Sequence, residues 1–163
     1  MLKIRAVQPA DNKELAAVLR SILIEMGVPK VGTAYADAAL DCMYETYDTA
    51  SSQYFVVTDD DRILGGAGIA PLANYEGPVC ELQKMYIDSS LRGKGVGKQL
   101  MQTCLDFART AGFEQVYLET MPYMQAAQQL YLRSGFYHID GPMGDTGHCA
   151  CPVHMLKDLT NDA

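Results

Sequence analysis

A glycine-rich turn, residues 92–98 (RGKGVGK), carries the clearest chemical signal in this 163-residue chain. It lies between a predicted strand and a predicted helix. Amide N–H groups at the start of a helix lack intrahelical partners, and the helix dipole favours negative charge there. Glycines let a ligand approach the backbone closely, and Arg92, Lys94 and Lys98 add positive charge. The turn therefore predicts a binding site for a phosphate group.

Two common nucleotide-binding signatures do not fit this turn. The pattern G-x-x-x-x-G-K-[ST] requires a hydroxyl where the chain has Gln99 and a glycine where it has Arg92. The pattern G-x-G-x-x-G requires a third glycine where the chain has Lys98. The pattern that fits is R-x-x-G-x-G, from Arg92 to Gly97. By themselves, these six residues also fit a turn that only caps a helix.

The segments around the turn predict a mixed α/β fold in a single domain that spans residues 1–163. A strand, the turn, a helix and another strand form a crossover unit, so part of the sheet should be parallel. Hairpins should make the rest antiparallel. Periodicity predicts strands at 2–7, 53–58, 62–70, 80–87, 114–120, 136–139 and 149–156, and helices starting near Asp11, Thr33, Val96 and Pro122.

The strand before the turn breaks its alternation of polar and apolar residues. Gln83 and Lys84 are both polar, and the three residues 85–87 are all apolar. A β-bulge would leave this break, and it would free main-chain groups to bond a ligand. A strand that is buried on both faces at one end only is the alternative. The three glycines of the predicted strand 62–70 indicate a bulge or a close approach by another group.

Three segments in order resemble the GNAT superfamily of N-acetyltransferases. They are the strand ELQKMYI (81–87) with the hexapeptide at 92–97, the strand at 114–120, and the segment AQQLYLRSGF (127–136). The order of predicted elements is similar to that of the family over nearly the whole chain. The resemblance implies a GNAT fold, with a central mixed, mostly antiparallel sheet of six to seven strands flanked by about four helices.

The resemblance also implies acetyl-CoA as the acetyl donor. The pyrophosphate of coenzyme A would lie on the glycine turn, and the pantetheine arm would bond the main chain of the preceding strand like an added strand. A strand N–H would also polarise the acetyl carbonyl. The residues implied in cofactor binding are Met85, Tyr86, Ile87, Arg92, Gly93, Lys94, Gly95, Val96, Gly97 and Lys98.

Two side chains match family positions that act in the transfer itself. Glu81 matches the strand position of a general-base glutamate, which would accept a proton from the amine, in some cases through water. It could instead only bind the ammonium form of the substrate. Tyr131 matches the helix tyrosine that protonates the departing thiolate, although a tyrosine on an inward helix face could equally fill the core. Met124 stands where many members carry an asparagine, so that side-chain contact is not expected here.

A polar loop, residues 141–148, supplies candidates for binding the acetyl acceptor. It stands where the family fold closes one side of the acceptor site, so Asp145, Thr146 and His148 could contact the acceptor. An ordinary cluster of turn residues is the alternative. The histidines and cysteines of the segment 148–154 look like metal ligands, but their spacing does not match that of zinc sites, and no metal is predicted.

Bulk properties limit the partners of the chain. A net charge of −7 argues against nucleic acid and anionic membranes. No apolar run approaches the ~20 residues that span a bilayer, and the N-terminus lacks the apolar segment of a signal peptide. The cytoplasm is therefore the expected location. Five cysteines, an odd number without the spacing of a disulfide scaffold, predict buried free thiols.

Together these observations predict an acetyl-CoA-dependent N-acetyltransferase. The acceptor would be the primary amine of a small molecule, such as an amino acid or a polyamine, and it would attack the thioester directly in a ternary complex. Two alternatives stay open: a non-catalytic acyl-CoA-binding module that regulates a protein partner, and an enzyme that acetylates a protein lysine or N-terminus. By analogy with the family, the chain could form a homodimer.

Overall fold

The computed structural model describes residues 1–31, 34–147 and 152–159. Its helices and strands, in chain order, are β1 (Leu2–Ala6), α1 (Asn12–Glu25), α2 (Met43–Thr46), β2 (Gln53–Asp59), β3 (Arg62–Pro71), β4 (Val79–Ile87), α3 (Val96–Thr110), β5 (Gln115–Thr120), α4 (Gln125–Arg133), β6 (Tyr137–Ile139) and β7 (Val153–Asp158). Short 3₁₀ helices lie at Pro9–Asp11, Ala34–Ala36, Ala38–Asp41 and Ser89–Leu91. Within these described ranges, no helix has the length and apolar character that a membrane span requires.

The seven described strands form one sheet in the order β1-β2-β3-β4-β5-β7-β6. Among them, β4 and β5 pair in parallel, and every other neighbouring pair is antiparallel. The parallel pair is joined through α3, because parallel strands need a long crossover connection. The predicted mixed, mostly antiparallel sheet with about four helices is confirmed.

Helices cover both faces of the sheet. The apolar side of α3 packs on one face, where Leu100, Cys104 and Ala108 are buried. These residues are four positions apart, which is the spacing of one helix face. On the other face, α1 and α2 close a second core that includes Leu19 and Tyr47. The sheet therefore has two separate environments, and the site described below uses both.

The predicted bulge is present in β4. The pairing of β3 with β4 shifts register between Gly66 and Gly68, so that one residue of β3 lies opposite both Lys84 and Met85. Lys84 has a φ of 50°, in the left-handed region that residues other than glycine rarely adopt. The Tyr54 hydroxyl donates a hydrogen bond of 2.8 Å to the Lys84 carbonyl, which supports this conformation.

The glycines of β3 leave space for two aromatic rings. A Cβ atom at Gly68 would lie 2.6 Å from the ring of Tyr54 and 2.9 Å from the ring of Tyr47. A Cβ atom at Gly66 would lie 2.5 Å from the Tyr54 ring. The close approach predicted for this glycine-rich strand is confirmed, and the approaching groups are tyrosines of β2 and of the turn that ends α2.

The segment between α1 and β2 differs from the predicted second helix. Its described part contains two 3₁₀ turns and the one-turn helix α2 instead of one long helix, and Thr33 lies outside the described residues. The Asp37 side chain accepts a hydrogen bond from the Ala39 N–H, a local turn contact that competes with helix formation. Met43 and Tyr47 are nevertheless buried.

Two predicted boundaries also shift. The last helix begins at Gln125, because the chain first turns after Met121, whose carbonyl accepts a hydrogen bond from the Met124 N–H. The last strand is β7, which begins at Val153, and the first residues of its predicted range, 149–151, lie outside the described residues.

Candidate active site

A groove of about 1620 Å³ opens between the second half of β4, the start of α3, and α4. The end of α1 and Lys157 of β7 complete its walls. Most of the residues predicted to bind the cofactor line this groove, namely Met85, Tyr86, Ile87, Arg92, Gly93, Gly95, Val96, Gly97 and Lys98. Lys94 is exposed and does not belong to the lining. The structure therefore gathers residues from a predicted strand and a predicted turn around one cavity.

The glycine turn places main-chain donors at one end of the groove. Gly95 precedes α3 with a φ of 74°, and no side chain caps the helix. The amides of Val96, Gly97 and Lys98 therefore have no acceptor within α3. The Lys94 amide instead donates to the Leu91 carbonyl, at the end of the preceding 3₁₀ helix. Unpaired amides at the positive end of a 15-residue helix are suited to holding a phosphate group.

β4 separates from β5 before the part of the strand that lines the groove. The two strands pair over Val79–Glu81 only, whereas β4 continues to Ile87. In the part of the chain that the structure describes, the edge of β4 that faces β5 has no strand partner beyond Glu81. Its main-chain groups can therefore bond an extended ligand in the way that an added strand would.

Glu81 lies at the last β4–β5 pair, and its side chain points to the sheet face covered by α1 and α2. The residue is 3% exposed. Burial raises its pKa to about 7, and the Glu119 carboxylate adds to this increase, whereas a hydrogen bond from Gln83 and the charge of Lys84 oppose it. Such a carboxyl suits a general base, because both of its protonation states are accessible near neutral pH.

A chain of two hydrogen bonds holds one oxygen of Glu81. Gln83 Nε2 donates to Glu81 Oε1 over 2.6 Å, and the Tyr47 hydroxyl donates to Gln83 Oε1 over 2.5 Å. None of the described residues donates a hydrogen bond to Glu81 Oε2. That second oxygen is the one available to a water molecule or an amine.

The bulge brings a buried cation to the same face of the sheet. The Lys84 side chain is 4% exposed, and its Nζ atom lies 3.0 Å from an Asp37 carboxylate oxygen. In a regular strand Lys84 would point away from the face that Gln83 occupies. The extra residue of the bulge turns it back toward α1 and α2. Glu81, Gln83 and Lys84 therefore share one environment.

Tyr131 lines the groove from α4. Its ring packs against Phe136, with 6.0 Å between ring centroids, and the residue is buried. Burial raises the pKa of Tyr131 to about 12, so the hydroxyl keeps its proton at neutral pH. The ring thus fills part of the core while the side chain also contacts the groove, and the two predicted roles are compatible.

A second polar cluster lies beside Glu81 on the same face. The Tyr117 hydroxyl donates to Glu119 over 2.7 Å and lies 3.0 Å from Nδ1 of His154. The Thr146 hydroxyl also donates to the Glu119 carboxylate, and this bond brings the described part of the predicted acceptor loop onto the cluster. The Glu119 side chain is buried, at 5% exposure.

The three predicted acceptor residues have different positions. Thr146 reaches the polar cluster, as described above. The Asp145 carboxylate accepts a hydrogen bond of 3.2 Å from the Gly147 N–H, and the Asp145 N–H donates to the Ala73 carbonyl over 3.0 Å. These contacts shape the loop, which agrees with the turn interpretation for Asp145. His148 lies outside the described residues.

The sequence interpretation missed four residues of this environment, namely Tyr47, Gln83, Tyr117 and Glu119. For Gln83 a signal was available, because residues two apart in a strand share a face and Gln83 follows Glu81 at that distance. Tyr117 shares a face with Glu81 only through the register of the parallel pair. That register, and the position of Tyr47, could not be read from local patterns.

The cysteines described by the structure are Cys42, Cys80 and Cys104, all of them free. Cys80 and Cys104 are buried as predicted, and burial raises the pKa of Cys80 to about 12. The prediction was wrong for Cys42, which is exposed because α2 begins only at Met43 and no long helix turns Cys42 inward.

Within the described ranges, no cluster of three or more histidine, cysteine, aspartate or glutamate side chains is arranged to hold a metal ion. Most of the histidines and cysteines that were considered as metal ligands, and rejected because of their spacing, lie within residues 148–151, outside those ranges.

Comparison with known proteins gives matches in sequence. Residues 19–136 match the model of the acetyltransferase (GNAT) family. The uncharacterized N-acetyltransferase YjgM of Escherichia coli (strain K12) is 42% identical over 150 residues, covering 91% of this chain and 90% of that protein. The N-acetylaspartate synthetase of Rattus norvegicus is 32% identical over 158 residues, covering 86% of this chain and 51% of that protein. This chain thus spans about half the length of the synthetase.

Solved structures show the same fold. An acetyltransferase of the GNAT family from Staphylococcus aureus Mu50 superposes with a TM-score of 0.87 at 21% identity, covering 98% of this chain and 99% of that one. The Salmonella typhimurium protein yncA, whose structure contains its cofactor acetyl-CoA, gives a TM-score of 0.77 at 19% identity, covering 100% of this chain and 96% of that one.

Proposed function

The chain belongs to the GNAT family of acetyltransferases, and on this premise we propose that it transfers an acetyl group from acetyl-CoA to the primary amine of a small molecule. The acceptor would be similar to an amino acid or a polyamine, and its amine would attack directly while both substrates are bound. The observation that carries the proposal is the buried Glu81 carboxyl, with a pKa of about 7, at the last β4–β5 pair; Glu81 does not itself line the groove, whose β4 wall begins at Met85 on the same strand.

The residues of the groove fit acetyl-CoA. Small-molecule pockets are commonly about 300–1,000 Å³, so a groove of about 1620 Å³ suits an unusually long ligand. The first amides of α3, with Arg92 and Lys98, would hold the pyrophosphate. The unpaired edge of β4 from Met85 to Ile87 would bond the pantetheine arm. Acetyl-CoA bound in this way supplies the acetyl group as a thioester.

Glu81 and Tyr131 would move the two protons of the reaction. A free alkyl amine has a pKa of about 10 and is mostly ammonium at pH 7, so it must lose a proton before it can attack. Oε2 of Glu81 would accept that proton, directly or through water, because Oε1 is already bonded to Gln83. The Tyr131 hydroxyl, which stays protonated at neutral pH, would donate its proton to the leaving sulfur, and the second proton lost by the attacking nitrogen would restore the hydroxyl.

The first experiment measures the release of free coenzyme A thiol with acetyl-CoA and a panel of primary amines. Aspartate is tested first, because relatives of this chain are named N-acetylaspartate synthetase. This chain matches about half the length of each of these relatives. Other amino acids, polyamines and a lysine-containing peptide complete the panel. Turnover of a small amine supports the proposal. Turnover of the peptide alone would favour a protein acceptor, and acetyl-CoA binding without any turnover would favour a non-catalytic module.

The assigned roles give a sharper test with variants. We expect Glu81→Gln and Tyr131→Phe each to lower turnover by about 10²-fold or more, with little change in acetyl-CoA affinity. Tyr137→Phe is the matched control, because Tyr137 is an exposed tyrosine on β6 whose hydroxyl contacts Asp158. Its turnover should equal that of the wild type. Full activity in the Glu81 and Tyr131 variants would contradict the roles given to these side chains.

A further inference from the structure

We propose that Tyr47 and Gln83 form a positioning pair that fixes the Glu81 carboxylate by one oxygen and leaves the other oxygen free for the acceptor amine. This inference rests on the proposed function, in which Glu81 is the general base. The pair acts through Glu81, since its two hydrogen bonds run from Tyr47 to Gln83 and from Gln83 to Glu81 Oε1.

The chemistry of the three groups allows only one orientation of the Gln83 amide when Glu81 is ionised. A carboxylate accepts hydrogen bonds and cannot donate one, so Gln83 must present its NH₂ group to Glu81. The Gln83 carbonyl then faces Tyr47, where the hydroxyl supplies the donor that the carbonyl needs. Tyr47 thus selects the amide orientation that stabilises the charged form of the base.

Tyr47 is held firmly enough to perform this task. It is 2% exposed, and its ring packs against the Tyr54 ring with 5.3 Å between centroids. The absence of a Cβ at Gly68 makes room for both rings. Burial raises the pKa of the Tyr47 hydroxyl well above its usual range, so the hydroxyl remains a donor throughout the pH range of the reaction.

Charged and titratable groups face Glu81 from several elements. They are Lys84 of β4 with its partner Asp37, Tyr117 and Glu119 of β5, and Tyr47 at the end of α2, while His154 of β7 contacts Tyr117 and Glu119. Glu119 opposes ionisation of Glu81, and Lys84 favours it. Gln83 differs from both because it is neutral. Gln83 stabilises the carboxylate through a directed hydrogen bond. It adds no charge that would attract or repel the ammonium group of the substrate.

The experiment follows the side-chain carboxyl carbon of Glu81 by ¹³C NMR as the pH is raised from about 4 to 10. In the wild type this carbon should titrate with a midpoint near 7. Gln83→Met removes the donor, and Tyr47→Phe releases the amide. We expect each variant to raise the midpoint by roughly half a pH unit to one unit, because the ionised form loses its hydrogen bond.

Tyr54→Phe is the matched control. Tyr54 is equally buried on the same face, but its hydroxyl bonds the Lys84 carbonyl instead of Gln83. Its loss should shift the midpoint of Glu81 less than the loss of the Tyr47 hydroxyl does, because it can affect Glu81 only indirectly, through the bulge that carries Lys84. In the double variant Tyr47→Phe with Gln83→Met, the tyrosine change should add no further shift, because Tyr47 acts through Gln83. An unchanged midpoint in either single variant, or additive shifts in the double variant, would overturn the proposal.

Turnover separates this inference from the function on which it rests. The acidic limb of the pH profile of kcat/KM should move upward with the NMR midpoint in both variants. If Glu81→Gln removes that limb while the Gln83 and Tyr47 variants leave it in place, the positioning pair is wrong and the base assignment stands. If Glu81→Gln retains full turnover, the base assignment fails, and with it the use of the pair in catalysis.

Discussion

Glu81 lowers the stability of the fold at the pH where the proposed mechanism uses its carboxylate. Its pKa rises from the ordinary value of 4.5 to about 7 on folding. Below pH 4.5 the folded and unfolded chains both hold the proton. As the pH rises from 4.5 to 7 the unfolded chain loses it first, so the free energy of unfolding decreases, and above 7 the loss is complete. The shift corresponds to a cost on the order of 3 kcal/mol.

Glu81→Gln should therefore increase the free energy of unfolding at pH 8 by on the order of 2–3 kcal/mol, with little gain near pH 4. Urea denaturation at the two pH values measures this difference. Glu114→Gln, at an exposed glutamate, is the control and should change stability little at either pH. A gain that is the same at both pH values would show that Glu81 titrates like an exposed carboxyl. The same substitution is expected to lower turnover, so stability and activity would change in opposite directions.

At the scale of one element, β4 performs two tasks that a regular strand could not combine. Before the bulge it pairs with β5 and carries Glu81, and after the bulge its free edge and its side chains line the groove. The bulge itself turns Lys84 toward the acidic residues of the α1–α2 face. A buried lysine needs a charge partner, because desolvation of an unpaired ammonium is costly. Asp37 supplies that partner from the segment before α2.

Asp37→Asn tests this pairing. Asparagine keeps a side-chain oxygen for the Ala39 N–H but removes the charge beside Lys84. We expect a loss of about 1–3 kcal/mol in the free energy of unfolding, because the lysine stays buried without its partner. Adding Lys84→Met should recover most of that loss, and a double-mutant cycle by urea denaturation measures the coupling. If Asp37→Asn is neutral, the ion pair does not contribute to the stability of the bulge.

The elements also show which features the sequence could reveal. Local patterns were sufficient for the glycine turn and the order of elements, and they indicated the bulge at Lys84 and Met85 as one of two alternatives, because each feature depends on neighbouring residues. The helix predicted before α2 was wrong, because the local turn at Asp37 forms there although the apolar residues have helical spacing. The hydrogen-bond partners of Glu81 were not predicted for another reason. Tyr47 and Gln83 are 36 residues apart, and only the packing of α2 on the sheet brings them together.

At the scale of the whole molecule, an acidic protein must bind an anionic cofactor. The net charge of −7 disfavours the approach of a polyphosphate, so the cations at the glycine turn have to act locally. The groove walls come from α1, β4, α3, α4 and β7, so a ligand in the groove contacts elements from most of the chain. Acetyl-CoA should therefore stabilise the fold as a unit, by about 2.7 kcal/mol at a concentration of 100 times its Kd.

Two lysines of the turn distinguish a local charge effect from a general one. Lys98 lines the groove, whereas Lys94 is exposed outside it, and the two side chains carry the same charge four residues apart. Lys98→Ala should weaken acetyl-CoA binding by roughly 5- to 10-fold, because a direct charge-assisted contact with a phosphate is lost. Lys94→Ala should weaken it by less than about 2-fold, because a charge outside the groove is screened by salt. Calorimetric titration with acetyl-CoA at two salt concentrations measures both affinities. Equal losses in the two variants, disappearing together at high salt, would mean that the turn attracts the cofactor only by its summed charge and that Lys98 makes no contact of its own.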